Sequence, residues 1–216
     1  MNKFPTATVV GRVMPKEAFY KRLTLGKELK EKFVTDVKCI TLANSLTATT
    51  LNLEPGKEII EILILTVDLK KQEFDGRIVE NVARQNPHQL VFLLRYEDKA
   101  QLAVYYAKLY TTEWKPLDEL TLMAKGFTLD DVWHGFLEQI ALRADITAHR
   151  ADDNIDAKLQ RQDAILKLHK DIEKLEKLVR GERQPKKKFE LYQQLQYKKQ
   201  KMEEITNGQA ENAQCK

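Results

Sequence analysis

The sequence predicts an α/β domain, with a mixed sheet of about four to six strands and flanking helices, followed by a C-terminal antiparallel helical hairpin. Three observations carry this. Ile59, Ile60, Ile62, Leu63, Ile64, Leu65 and Val67 form a nearly unbroken run of strand-forming residues, which belongs inside a sheet covered on both faces. Residues 74–85 then switch to helical spacing (Phe74, Ile78, Val79, Val82), and residues 90–94 return to a buried-strand run. Far downstream, Ile165, Leu168, Ile172, Leu175 and Val179 recur at the spacing of a heptad seam.

Taken in order, Pro15 suits a first helical position, and Phe19 and Leu23 share a face of a short helix. Gly26 weakens continuity, while Leu25, Leu29 and Phe33 keep the four-residue spacing, giving two short helices or one kinked one. Residues 37–42 read as a strand, 47–50 as a polar connector, 51–53 as a short strand, and Glu54-Pro55-Gly56 as a turn. The strands at 60–69 and 89–96 are separated by a helix that Asn86-Pro87 ends, long enough for a crossover between parallel neighbours. The polar turn Glu97-Asp98-Lys99-Ala100 is too short for a crossover, so the strand at 102–109 should return antiparallel. Trp114 and Pro116 close that region, and Leu120 and Leu122 suggest a short edge strand. Thr128 stands as an N-cap, with Asp131 in the capping-box position usually held by Glu or Gln. Val132, Phe136 and Ile140 share one helical face, expected to lie on the sheet.

Residues 144–153 lose the apolar period and gain charge. The expected division is an α/β domain over 1–145, a helical hairpin over 151–206 and a polar, disordered tail over 207–216. Gly181 and Pro185 interrupt the first seam, and Leu191, Leu195, Met202 and Ile205 make a second, with Lys198 at a seam position. Burying a seam residue is worth about 1.5–3 kcal/mol, against an ordering cost of about 1–2 kcal/mol per residue for backbone alone. The hairpin is therefore expected to use a further surface, its own domain or a second copy in a homodimer.

Composition excludes several classes. With 43% hydrophobic and 31% charged residues among 216, the chain has the balance of a soluble protein. Its longest apolar run is interrupted by Glu61 and Thr66 and is too short to span a membrane. No apolar signal core follows Met1, and Cys39 and Cys215 make no disulfide framework, so a cytoplasmic location is expected. Neither G-x-x-x-x-G-K-[ST] nor G-x-G-x-x-G occurs. His88, His134, His149 and His169 are widely separated, which gives no metal-ligand spacing. Ser45, the sole serine, is outside any G-x-S-x-G turn, and Cys39 sits among apolar residues, where a thiol is usually inert packing. The leading expectation therefore assigns no catalytic residue, metal or cofactor.

Two features retain chemical interest. Asp68-Leu69-Lys70 ends the central strand as an acid-x-Lys, the pattern with which metal-dependent nucleases hold a divalent cation and position water; Glu61 is the nearest second carboxylate. Mg²⁺ would be needed only on that alternative. The other is a basic cluster at the hairpin turn: Lys177, Arg180, Arg183, Lys186, Lys187 and Lys188, opposed by Glu182 alone. Lys177 and Arg180 suit a helix C-terminus, but three lysines at the next helix start oppose the helix dipole. Nucleic acid or an acidic protein surface would account for them.

Several motifs together resemble an uncharacterised bacterial family, domain of unknown function 4391. They are residues 15–20 (Pro-Lys-Glu-Ala-Phe-Tyr), Leu51-Asn52-Leu53, Asp68-Leu69-Lys70, Asn86-Pro87-His88, Thr112-Glu113-Trp114, Glu182-Arg183-Gln184 and Phe189-Glu190-Leu191. Pro185 departs from the residue usual after that Gln. The resemblance transfers no catalytic residues. It implies genes set beside helicases and DNA methyltransferases in restriction-like loci. The expected function is a non-enzymatic accessory protein, docking on a helicase or methyltransferase partner, on DNA, or on both through the basic tip. The alternatives are the Asp68/Lys70 nuclease and a scaffold that self-associates through the helical seams.

Overall fold

The computed structural model describes residues 4–17, 19, 25–143, 146 and 153–207. The chain divides into two compact units, Met1–Ala141 and Leu142–Lys216. In the first, strands β1 (Val9–Met14), β2 (Val37–Leu46), β3 (Ile62–Leu69), β4 (Gln89–Tyr96), β5 (Lys99–Tyr106) and β6 (Lys108–Thr111) lie side by side in that order. The two-residue β7 (Lys115–Pro116) also pairs with β5, completing a seven-stranded sheet. The fold is a mixed α+β arrangement: β3 and β4 are parallel, and the other pairs are antiparallel.

The parallel pair exists because α3 (Arg77–Arg84) occupies the connection and carries the chain back across the sheet. Its apolar residues Ile78, Val79 and Val82 are buried with Phe33 of α1 (Lys27–Asp36) against Leu65, Val67, Leu69, Phe92 and Leu94. Residues of the opposite parity, among them Ile62, Ile64, Val91, Leu93, Leu102 and Val104, are buried too. This two-sided burial is why β3 and β4 read as continuous apolar runs. Helix α4 (Leu129–Ala141) packs against β5 and β6, with Val132, Phe136 and Ile140 buried. Its capping box is formed: Asp131 N donates to Thr128 Oγ1 at 3.2 Å, and Thr128 N donates to Asp131 Oδ2 at 2.9 Å.

Four expectations are corrected. Residues 51–53 are not a strand; a helical turn, α2 (Ala48–Leu51), precedes Asn52, whose φ of 54° ends it in the left-handed conformation. Ile59 and Ile60 stay outside β3, and Ile60 is 85% exposed. The reason is a competing partner for the backbone: Lys57 N and Ile59 N donate to the Asp130 carboxylate at 2.6 and 2.9 Å instead of to a neighbouring strand. Residues 102–109 are not one strand, because the chain reverses at Ala107 (φ 58°), so β5 and β6 pair as a tight hairpin. Leu120 and Leu122 form no strand, though both are buried. In addition, β1, unmarked in the sequence reading, forms the sheet's edge with Val9 and Val13 each 61% exposed. Leu23, placed on a helix by its spacing, lies outside the described residues.

The second unit holds two long helices, α5 (Ile155–Gly181) and α6 (Pro185–Asn207), which pack on each other as a hairpin. Asn154 caps α5 by accepting from Ala157 N at 2.8 Å. Ile165 of α5 clusters with Ile205 near the other end of α6, which sets an antiparallel register. Ile165, Leu168 and Ile172 are buried from α5, as is Leu195 from α6. Lys198 interrupts the apolar seam and is satisfied across it, its Nζ lying 2.9 Å from Asp171 Oδ2; Lys199 similarly reaches Glu176 at 2.8 Å. The tail expected over 207–216 falls, beyond Asn207, outside the described residues. No described helix is long and apolar enough to cross a membrane.

Candidate nucleic-acid interface

The end of the central strand and the hairpin turn differ in how their side chains are engaged. Asp68 on β3 lies opposite Arg95 on β4, and its Oδ1 accepts from Arg95 Nε and Nη2, each at 2.7 Å. Lys70 donates through Nζ to the Val34 carbonyl at 2.9 Å, capping the last turn of α1. Glu61 stands at the other end of β3, where its carboxylate accepts from Ser45 Oγ and lies 3.4 Å from His88 Nδ1. The strand rise separates Asp68 from Glu61 by roughly 20 Å, so one ion cannot bridge them. The fold therefore brings Asp68 and Lys70 to the same sheet end and leaves Glu61 at the opposite one. Among the described residues no group of three or more His, Cys, Asp or Glu is placed to hold a metal ion.

Beside this sheet end is a charged network that the sequence reading passed over. Asp36, only 2% exposed, accepts from Lys71 Nζ at 2.8 Å, Thr35 Oγ1 at 2.8 Å and Asp75 N at 3.3 Å. Burial pushes its carboxyl up, and these donors together outweigh that and hold it below the ordinary value. Asp75 is held well below the carboxylate range by Arg77, against the cost of burial, with Lys32 assisting at 2.8 Å. The arrangement pins the connection from β3 to α3. Each charge is matched within the protein, which marks the network as structural. No local spacing signals it, since its members come from α1, the β3–α3 loop and the start of α3.

The hairpin tip is built differently. Helix α5 ends at Gly181, and Glu182 adopts extended backbone (φ −77°, ψ 126°) while its N–H still donates to Leu178 O. Glu182 Oε1 then accepts from Gln184 N at 2.8 Å, which closes the turn. Pro185 opens α6, where its fixed φ suits a first helical residue and its missing N–H costs nothing. This short connection gathers Lys177 and Arg180 from the end of α5, Arg183 from the turn, and Lys186, Lys187 and Lys188 from the start of α6. All six side chains are exposed. Among the described residues none of the six forms an ion pair within 4.0 Å. Glu182 is already committed: the Gln184 N–H, followed by that of Arg183 and the charge of Lys187, holds its carboxyl below the usual value. The first turn of α6 carries no acidic residue, so the helix's positive end adds to the field.

A family model for a domain of unknown function, DUF4391, matches residues 3–202 of the 216. The chain belongs to this family. The match takes in the first unit and most of the helical hairpin. No curated protein and no solved structure matches the chain.

Proposed function

We propose that this DUF4391 protein is a non-enzymatic accessory factor that contacts nucleic-acid phosphates through its helical-hairpin tip, and so delivers or tethers a DNA-acting partner. The observation that carries the reading is the set of six exposed cations on one short turn, with no carboxylate among the described residues in ion-pair reach and three of them at the helix end least suited to lysine. A solvated surface normally intersperses charges of both signs. Elsewhere on the hairpin lysines do meet carboxylates, as in Lys198–Asp171 and Lys199–Glu176. An unmatched cluster of one sign is the electrostatic footprint of a polyanion partner. The restriction-like loci that the family resemblance implies suggest a helicase or a DNA methyltransferase as the protein partner, in a cytoplasmic setting. The Asp68-x-Lys70 nuclease gains nothing comparable, since Asp68 is bound by Arg95 and Lys70 by a backbone carbonyl.

The test is the salt dependence of binding to a 20-base-pair duplex. Each phosphate contact contributes about 0.9 to the slope of log K against log salt, so three to five contacts give a slope of about −3 to −4.5. Replacing Lys186, Lys187 and Lys188 by Gln should flatten the slope by up to about three while moving stability by less than about 0.5 kcal/mol. An unchanged slope in the triple variant would remove the tip as the contact. Absence of binding by the wild type at low salt, to this duplex and to a single strand of the same length, would refute a direct nucleic-acid role.

A further inference from the structure

Next to the basic tip, α6 exposes aromatic rings that the hairpin seam does not use. Phe189 is 61% exposed, Tyr192 49% and Tyr197 64%, whereas Leu195 on the seam is 5% exposed. Large apolar side chains normally turn toward the neighbouring helix. Here the helix keeps its aliphatic residues for α5 and turns its aromatic ones outward.

The spacing relates these rings to the cations. Lys186 and Phe189 are three residues apart and Lys188 and Tyr192 four, so each ring has a lysine one helical turn nearer the tip. Gln193 and Gln196 follow Phe189 and Tyr192 by four residues each, and both are exposed. The outer face of α6 thus presents two adjacent rows, Lys186–Phe189–Gln193 and Lys188–Tyr192–Gln196. Their rings are offset by about 4.5 Å along the axis. Among the described residues no ion pair within 4.0 Å engages these lysines.

From this juxtaposition we infer that the outer face of α6 is a single-strand-binding track, on which lysines hold phosphates and the Phe189 and Tyr192 rings stack on unpaired bases. The inference rests on the phosphate-contact reading of the tip and adds the class of nucleic acid. A duplex offers phosphates but buries its base faces in the stack, so the rings would find no partner there. An exposed base meets a ring through its π-face, which every base has, and the contact is therefore tolerant of sequence and indifferent to the sugar.

The experiment uses the full-length protein and fluorescence anisotropy with four labelled probes of equal length: oligo(dT), oligo(rU), an abasic single strand and a duplex. Wild type is compared with Phe189→Ala/Tyr192→Ala, with Phe189→Tyr and with Lys186→Gln/Lys187→Gln/Lys188→Gln. Truncating each ring should weaken oligo(dT) binding about 5-fold or more, hence about 25-fold for the pair, with the salt slope retained. Phe189→Tyr should bind as wild type does. Oligo(rU) should bind within about 10-fold of oligo(dT), and the abasic strand and the duplex should not distinguish the ring variant from wild type. Equal binding of oligo(dT) by wild type and ring variant, an equal loss on the abasic strand, or a large preference for one sugar would overturn the stacking track. In that case the lysine variant's flattened slope would leave the phosphate reading standing. If wild type binds no probe at low salt, the phosphate reading itself fails and the track with it. Circular dichroism and thermal unfolding of the ring variant should match wild type, because both rings are exposed.

Discussion

Replacing Asp130 tests how the start of the central strand is held. Its carboxylate, in the first turn of α4, gathers backbone from more than seventy residues earlier: Lys57 N at 2.6 Å, Ile59 N at 2.9 Å and Glu58 N at a marginal 3.4 Å. Gly56 lies so close that a Cβ there would stand 2.8 Å from Asp130 Oδ1, which leaves the loop no freedom to take a side chain. A hydrogen bond to a charged group contributes about 1.5–3 kcal/mol net. Lys57 and Glu58 are exposed, and water can replace part of what is lost. Asp130→Ala should therefore cost about 1.5–3 kcal/mol in total, and Asp130→Asn, which keeps one acceptor, about half as much. For a unit of this size that is a fall in Tm of roughly 4–10 °C for the alanine variant.

The pH dependence gives a second reading of the same bond set. Burial alone would raise the Asp130 carboxyl, but the three N–H donors outweigh it and leave the folded pKa depressed. A depressed carboxyl contributes stability that is fully present above its unfolded pKa, about 3.9, and is lost as pH falls through the lower folded value. Wild type and Asp130→Asn should thus differ most above about pH 5 and converge only once pH has fallen below the depressed folded value. Urea unfolding followed by tryptophan fluorescence is the assay, because Trp114 and Trp133 both lie in the first unit. An Asp130→Ala protein as stable as wild type at pH 7, or a difference that does not change with pH, would refute the reasoning.

Two further outcomes follow from the architecture. Lys198→Met should leave the hairpin as stable as wild type or slightly more so, because Asp171 is 37% exposed and its unpaired charge can hydrate, while a methionine extends the seam; a clear fall in the midpoint of thermal unfolding would contradict this. A chain ending at residue 143 should unfold cooperatively, since the first unit buries its own core around Phe33, Leu65, Val67, Phe92 and Leu94; a non-cooperative melt would show that the hairpin unit is needed to complete it.

The sequence by itself determined those elements whose signals are local. β4 spans Gln89–Tyr96, as its apolar run indicated, because a strand buried on both faces needs no partner information to be recognised. The capping box at Thr128 and Asp131, the helix break between Gly181 and Pro185, and the gathering of six cations on that turn are likewise short-range consequences of residue type and spacing. What the tertiary structure alone decided lies where a backbone group or charge had two competing partners. Ile59 and Ile60 carry strand-forming side chains, yet their strand starts later because Asp130 takes the amides just before it. Ala107 reverses the chain at a residue that carries no turn signal, held there by pairing between β5 and β6. Asp68 shows in the sequence only as the acid of an acid-x-Lys, and the parallel register of β3 and β4 is what sets Arg95 beside it. Phe189 and Tyr192 read as ordinary apolar residues until α5 is in place and the seam has passed them by. Local propensity is a property of neighbours along the chain, but the partner that satisfies an amide, a carboxylate or a ring is a neighbour in space, and only the closed fold selects it.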